Sequence, residues 1–169
     1  PDFDTPPFIV EATQEALSSG ITRYGPASGD PELRAAIAHK LSVENAIPTQ
    51  PEQVMVTNGG KQAIYNLFQV LLNPGDEVLL PAPYWLSYPE MAALAGASTT
   101  IIPTKAHEGF RLDLDLLERQ ITARSRLLVI NSPGNPSGRV MSKAELEALA
   151  TLVARHPQLM VMSDEIYEY

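Results

Sequence analysis

The 169-residue sequence contains no cysteine, which excludes disulfide bonds, thiolate nucleophiles and cysteine-based zinc sites. It also has no apolar run of about 18 residues, so a membrane-spanning helix is not expected. The first ten residues, PDFDTPPFIV, contain neither a basic segment nor an apolar run with a cleavage site. No secretory signal is therefore predicted, and we expect a cytoplasmic protein. Because the sequence starts at Pro1 rather than at Met, we expect that residues precede it.

Basic residues are few: 12 Lys and Arg stand against 20 Asp and Glu, which gives a formal net charge of −8. A chain of this charge repels a phosphate backbone, so nucleic acid is not an expected partner. The three histidines, His39, His107 and His156, show neither metal-ligand nor catalytic spacing. We expect them to be solvated surface residues, and we predict no metal site.

Helical apolar spacing alternates along the chain with short β-branched runs, a pattern typical of parallel βαβ units. Helices are predicted at residues 8–20 (with Thr5 as N-cap), 32–45, 59–72, 84–96, 112–121 and 142–156. Strands are predicted at residues 53–58, 77–81, 98–103, 126–131 and 159–165. The strands are short and apolar throughout, as expected when helices cover both faces. The pattern predicts an α/β three-layer sandwich with a mostly parallel sheet.

In such sheets ligands bind beyond the carboxyl ends of the strands, so the residues that follow each strand are the candidates for a site. Gly59 and Gly60 stand between a predicted strand and a predicted helix. Open backbone N–H groups and the positive end of the helix dipole could hold a phosphate there. A tight turn that needs glycine only for its conformation is the alternative.

Three further candidates follow predicted strands. Trp85, the only tryptophan, could stack on a planar ligand or pack into the core. Asn135 could belong to a plain proline turn or donate to a phenolate oxygen. Asp164 ends an apolar run, where a carboxylate would be costly without a cationic partner such as a protonated ring nitrogen. A helix N-cap or a surface acid is the alternative for Asp164.

Taken together, these motifs resemble the aspartate aminotransferase family of fold type I enzymes, which depend on pyridoxal 5′-phosphate (PLP). The resemblance runs from Tyr24 to Tyr167. It rests on five motifs in this order: YGPASGDPELR, TNGGKQA, NPGDEVLLPAPYW, NSPGNPSG and SDEIY. Ser137 stands where threonine is more usual in the family, and Gly134 precedes Asn135; neither departure should disturb contacts to the cofactor ring.

The resemblance implies a cofactor site made of strand-end residues. The backbone of Gly59, Gly60 and Lys61 would hold the PLP phosphate, and Trp85 would stack on the pyridine ring. Asp164 would pair with the ring nitrogen and keep it protonated, so that the ring accepts electrons from the substrate.

Two tyrosines and an asparagine complete the implied set. Asn135 and Tyr167 would both hydrogen-bond the 3′ oxygen of the ring. Tyr24 would reach the cofactor phosphate of a partner subunit, which implies a homodimer with shared active sites.

The resemblance also implies that essential residues lie beyond this sequence. The four lysines, Lys40, Lys61, Lys105 and Lys143, do not lie in the serine motif that carries the family's Schiff-base lysine. Residues 1–45 would form N-terminal helices and a cross-subunit loop, and residues 46–169 the first part of the PLP-binding large domain. The two strands that the family inserts between residues 53–58 and the rest of the sheet would be missing, which leaves that segment unpaired with its usual neighbours.

The predicted function is transamination between an amino acid of aspartate or aromatic type and a 2-oxo acid. The chain by itself is expected to be inactive, because it contains no Schiff-base lysine and no carboxylate-clamping arginine. A PLP-dependent carbon–sulfur lyase or an aminocyclopropane carboxylate synthase would share the same ring contacts. The PLP-sensing domain of a transcription regulator and a short protein that binds PLP or phosphate weakly are further alternatives.

Overall fold

The computed structural model of the chain describes residues 3–168. The chain forms two compact units, Pro1–Thr57 and Asn58–Tyr169. Within the described residues, no helix is both long and apolar enough to cross a membrane.

The first unit contains two helices, α1 (Pro7–Ser18) and α2 (Pro31–Val43). Each starts with a proline, whose fixed φ suits the first helical turn and whose missing N–H costs nothing there. The Asp30 side chain caps α2 by accepting from the backbone N–H groups of Glu32 and Leu33 at 2.9 and 3.0 Å. Both helices were predicted, but the N-cap of α1 is Pro6 without a side-chain cap bond, not Thr5.

The prediction that residues 53–58 form a strand was wrong, whereas the expectation that this segment is left unpaired is confirmed. Residues Pro51–Gln53 form a 3-10 turn, and the extended residues that follow pair with no strand of the described chain. The Val56 N–H donates to the carbonyl of Ser28 at 2.9 Å, and the Arg34 guanidinium donates to the carbonyl of Val54 at 2.9 Å. A strand needs a hydrogen-bonded neighbour. The hydrogen-bond partners of Val54 and Val56 are instead an arginine side chain and a loop carbonyl.

The second unit is a parallel four-stranded sheet with the order β2-β1-β3-β4. The strands are β1 (Glu77–Pro81), β2 (Ser98–Ile102), β3 (Ser125–Asn131) and β4 (Met160–Asp164). The helices are α3 (Gly60–Leu71), α4 (Ser87–Leu94), α5 (Leu114–Gln120) and α6 (Lys143–Val153), with a 3-10 turn at Ala106–Glu108. Ser142 caps the last helix in a capping box with Glu145.

Alternating side chains of the central strands build two cores, because successive residues of a strand point to opposite faces. Val78 and Leu80 of β1 belong to the cluster that α3 and α4 cover. Leu79 of β1, with Leu128 and Ile130 of β3, belongs to the cluster that α5 and α6 cover. The three-layer α/β sandwich with a parallel sheet is thereby confirmed.

The expectation of helices on both faces of every strand was wrong at the edges of the sheet. Met160 and Val161 of β4 are 40% and 45% exposed, since β4 has a neighbouring strand on one side only among the described residues. The expectation that all three histidines are solvated was wrong for His156. The His156 side chain is 23% exposed, because this residue, which follows α6, lies against Glu118 of α5. The distance from His156 Nε2 to Glu118 Oε1 is 3.6 Å.

Candidate functional site

A cavity of about 460 Å³ opens at the carboxyl ends of β3 and β4 in the second unit. This volume falls within the range of small-molecule sites. Its lining residues come from the start of α3, the α4 region and the two strand ends: Gly60, Lys61, Ile64, Trp85, Tyr88, Asn131, Asn135, Asp164, Ile166 and Tyr167. The structure therefore brings six of the eight residues singled out from the sequence to one cavity.

The two glycines stand at the N-terminus of α3, and Gly60 lines this cavity. Gly59 is the N-cap with φ of 81° and ψ of 167°, a backbone conformation that is essentially restricted to glycine. Gly60 is the first helical residue. A Cβ atom placed on either glycine would meet no atom within 4 Å. The positive end of the α3 helix dipole lies at this helix start, where it favours an anion.

The wall above α3 is aromatic. The Trp85 ring packs against the core cluster and meets the Tyr88 ring edge-on, with centroids 5.3 Å apart. The Lys61 ammonium lies 5.1 Å from the centre of the Trp85 ring, a cation–π distance. The packing of Trp85 against the core is confirmed, and the residue also lines the cavity, so its stacking on a planar ligand stays a prediction.

The carboxylate of Asp164 lies at the end of β4 and is held by a buried tyrosine. The Tyr88 hydroxyl donates to Asp164 Oδ2 at 2.6 Å, and Tyr88 is 1% exposed. Burial, together with the hydrogen bond to Asp164, raises the pKa of Tyr88 well above its usual range. The hydroxyl therefore stays protonated and acts as a permanent donor. Asp164 has no ion-pair partner within residues 3–168.

The loop that carries Asn135 is closed on the end of β3. The Asn131 side chain accepts from the backbone N–H of Asn135 at 2.6 Å and donates to the carbonyl of Asp164 at 2.8 Å. Gly134 N–H donates to the carbonyl of Arg139 at 2.9 Å, which closes the turn. Arg139 in turn forms an ion pair with Glu145 at the start of α6.

The remaining candidates are two tyrosines in different environments. Tyr167 lines the cavity and is 47% exposed. Tyr24 lies in the irregular loop of the first unit, and its side chain is fully exposed. Sequence reasoning missed Tyr88 and gave Asn131 no role. Tyr88 lies three residues after Trp85, in the first turn of α4.

A larger hollow of about 710 Å³ lies between the loop before α5 and the start of α6. Two of its acids are already engaged: Glu145 pairs with Arg139 and lies 3.6 Å from Arg111, while Glu108 pairs with Lys105 at 2.9 Å. It is lined by no strand residue and by none of the candidate residues. The smaller cavity at the strand ends is therefore the better candidate site.

The cavity is lined by a helix-start glycine, an indole and a carboxylate at the carboxyl edge of a parallel sheet. This arrangement is typical of α/β proteins that bind a small molecule at their strand ends. The family model for aminotransferase class I and II matches residues 1–169. The chain belongs to this family.

Known relatives agree with this assignment. The chain is 54% identical to the bifunctional aspartate aminotransferase and glutamate/aspartate-prephenate aminotransferase of Petunia hybrida, covering 100% of this chain and 35% of that protein. It is 51% identical to the aspartate/prephenate aminotransferase of Thermus thermophilus, covering 100% of this chain and 44% of that protein. The chain thus spans less than half the length of these relatives.

Solved structures give the same picture. The aspartate aminotransferase from Thermus thermophilus with maleate superposes with a TM-score of 0.96 at 50% identity, over 99% of this chain and 44% of that one. The aromatic aminotransferase from Pyrococcus horikoshii superposes with a TM-score of 0.95 at 45% identity, over 99% of this chain and 45% of that one. The fold is therefore that of the fold type I aminotransferases.

Proposed function

We propose that this chain is the first part of the large domain of a PLP-dependent aminotransferase. The complete enzyme would move an amino group between an amino acid of aspartate or aromatic type and a 2-oxo acid. The observation that carries the proposal is one cavity lined by Gly60 at the start of α3, by the Trp85 indole and by the Asp164 carboxylate that Tyr88 holds. The relatives named above are aspartate, prephenate and aromatic aminotransferases, which supports the same substrate class.

The residues present fit PLP in charge and shape. The cofactor has an anionic phosphate, a flat aromatic ring and a basic ring nitrogen, which call for anion donors, a stacking surface and a carboxylate. The open N-terminus of α3 at Gly59 and Gly60 supplies the first, Trp85 the second and Asp164 the third. Asp164 lacks an ion-pair partner within the described chain, so its charge is available to a cationic ligand.

Each residue then has a defined task in the proposed site. The backbone of Gly59, Gly60 and Lys61 would hold the phosphate, and Trp85 would fix the plane of the ring. Asp164, oriented by its hydrogen bond to Tyr88, would hold a proton on the ring nitrogen. When bound, PLP supplies an electron sink for the substrate's α-carbon.

The 3′ oxygen of the ring would be held by Asn135 and Tyr167, which both line the cavity. The lysine that carries the cofactor would lie outside this chain. Lys61 lines the cavity, but its ammonium lies over the Trp85 ring, where it adds positive charge beside the phosphate position. We therefore expect the 169-residue chain alone to show no transaminase activity.

The alternatives from the sequence are less favoured, because the relatives found carry aminotransferase names rather than those of lyases, synthases or regulators. Turnover by the complete enzyme that depends on an added 2-oxo acid separates transamination from β-elimination and cyclisation. The cytoplasmic location stays a prediction from the sequence.

The role of Asp164 is tested by Asp164→Ala in the complete enzyme. We expect loss of measurable transamination with only a partial fall in bound PLP, because the phosphate and ring contacts remain. Asp115→Ala removes an exposed carboxylate from α5 and serves as the control. Wild-type turnover in the Asp164 variant would refute the assignment.

We also propose that the complete enzyme is a homodimer in which Tyr24 reaches the partner's cofactor phosphate. The full exposure of Tyr24 supports this role. The test mixes two inactive variants, Tyr24→Ala and Asp164→Ala, under conditions that exchange subunits. If Tyr24 acts across the interface, each mixed dimer regains one intact site, and activity returns towards a quarter of wild type for statistical mixing. Absence of any recovery in confirmed mixed dimers would show that Tyr24 acts within its own subunit.

A further inference from the structure

Asn131 is the last residue of β3 and lies directly opposite Asp164, the last residue of β4. Its side-chain amide makes two hydrogen bonds to main-chain atoms. The Nδ2 group donates to the carbonyl of Asp164 at 2.8 Å, and Oδ1 accepts from the backbone N–H of Asn135 at 2.6 Å. One amide thus joins the main chain of Asp164 to that of Asn135, and all three residues line the cavity.

The position of Asn131 explains why a side chain is needed there. The β3–β4 ladder ends at the Asn131–Asp164 pair, so the next backbone groups have no strand partner. Partly buried backbone N–H and C=O groups require a partner, and the amide supplies a donor to one and an acceptor to the other. An ionised Asp offers acceptors only, and Ala offers neither. The geometry therefore uses both functions of the asparagine amide.

We propose that Asn131 is a positioning residue of the cofactor site, which sets the main chain of Asp164 and of Asn135 relative to each other. This inference rests on the proposed function. Asn131 acts through its neighbours, because both of its polar groups are engaged with the main chain. The Asp164 carboxylate is anchored at its far end by Tyr88, so the side-chain and main-chain anchors together define where the carboxylate points.

A shift of this frame would act on the ring contacts rather than on the phosphate contacts. Asp164 and Asn135 are the residues proposed to meet the ring nitrogen and the 3′ oxygen, whereas the phosphate position lies at the start of α3. Displacements of about 1 Å at such positions can cost on the order of a hundredfold in an enzyme's efficiency. Loss of the two Asn131 hydrogen bonds should therefore reduce the preference of the site for PLP over an analogue that lacks the ring nitrogen.

The test compares Asn131→Asp with the unsubstituted complete enzyme. The variant keeps the size and the acceptor of Asn131, but it places an oxygen against the Asp164 carbonyl. Affinity of the apoenzyme is measured by equilibrium dialysis for PLP and for its 1-deaza analogue, in which C–H replaces the ring nitrogen. We expect PLP affinity to fall about 10- to 100-fold, as for the loss of a hydrogen bond to a charged site. The fall for the deaza analogue should be several times smaller, because Asp164 gains nothing from a C–H group.

Asn73→Asp makes the same change in charge at an exposed turn and is the matched control; it should bind both compounds like wild type. If Asn131→Asp does not fold, Asn131→Ser, which keeps a neutral donor and acceptor, is compared in the same way. Unchanged PLP affinity, or an equal fall for both compounds, would show that Asn131 is merely structural and would overturn the inference. Failure of the unsubstituted enzyme to bind PLP would instead overturn the proposed function, and the inference with it.

Discussion

Gly59 and Gly60 are neighbouring glycines in opposite backbone environments, so replacing each by alanine should change stability in opposite directions. Gly59 has φ of 81° and ψ of 167°, where an L residue is strained. Gly60 has no positive φ and starts α3. The two substitutions therefore test whether glycine is required at the start of this helix by its backbone conformation or by the lack of room for a side chain.

The expected magnitudes follow from the backbone alone, since a Cβ on either residue would meet no atom within 4 Å. Gly59→Ala should cost about 1–3 kcal/mol, the typical strain of a residue held in a glycine-only conformation. Gly60→Ala should be neutral or should stabilise by up to about 1 kcal/mol, because alanine loses less backbone entropy in a helix than glycine.

The assay is thermal unfolding followed by circular dichroism, combined with PLP affinity in the complete enzyme. For a chain of this size each kcal/mol corresponds to about 2–4 °C in Tm, so Gly59→Ala should lower Tm by about 2–12 °C. Gly60→Ala should keep its Tm yet bind PLP more weakly, since its methyl group enters the open space that Gly60 lines. Equal Tm shifts for the two variants would refute the conformational argument, and unimpaired PLP binding by Gly60→Ala would refute the phosphate cradle.

Two further predictions concern buried polar groups. Burial of Glu77 opposes its ionisation, but hydrogen bonds from Ser125 and two threonines outweigh burial and lower the Glu77 pKa below its usual 4.5. The Glu77 carboxylate therefore contributes stability above pH 4.5, and this contribution is lost as the pH falls through its lowered pKa. Glu77→Gln should lower the free energy of unfolding by about 1–3 kcal/mol at pH 7 and by less at pH 3, as measured by urea unfolding. An equal loss at both pH values would contradict this. Tyr88→Phe should lower the free energy of unfolding by about 1 kcal/mol, because Asp164 Oδ2 loses its donor while the ring can still pack on Trp85. A decrease of more than about 3 kcal/mol in thermal unfolding would mean that the packing depends on the hydroxyl as well.

Local signals predicted much of the fold. The Asp30 cap of α2 and the Ser142 capping box of α6 involve residues two or three positions apart, so the sequence contains both partners. The uninterrupted apolar runs of β1 and β3 predicted that these strands are buried. The segment at residues 53–58 has an equally strand-like pattern but forms no strand, because a strand needs a paired neighbour and, as the family resemblance implied, its usual neighbours are missing.

The sequence by itself determined which residue types follow each strand, and hence the chemistry of the candidate site. Because carboxyl ends of parallel strands share one edge of a sheet, Gly60, Trp85 and Asp164 could be expected near one another from order alone. Only the tertiary structure decided that β3 and β4 are neighbours, which places the Asn131 amide against the Asp164 backbone. It also decided that Tyr88, 76 positions away in the chain, donates to the same aspartate. Such contacts depend on strand order and side-chain packing, which arise from the whole fold.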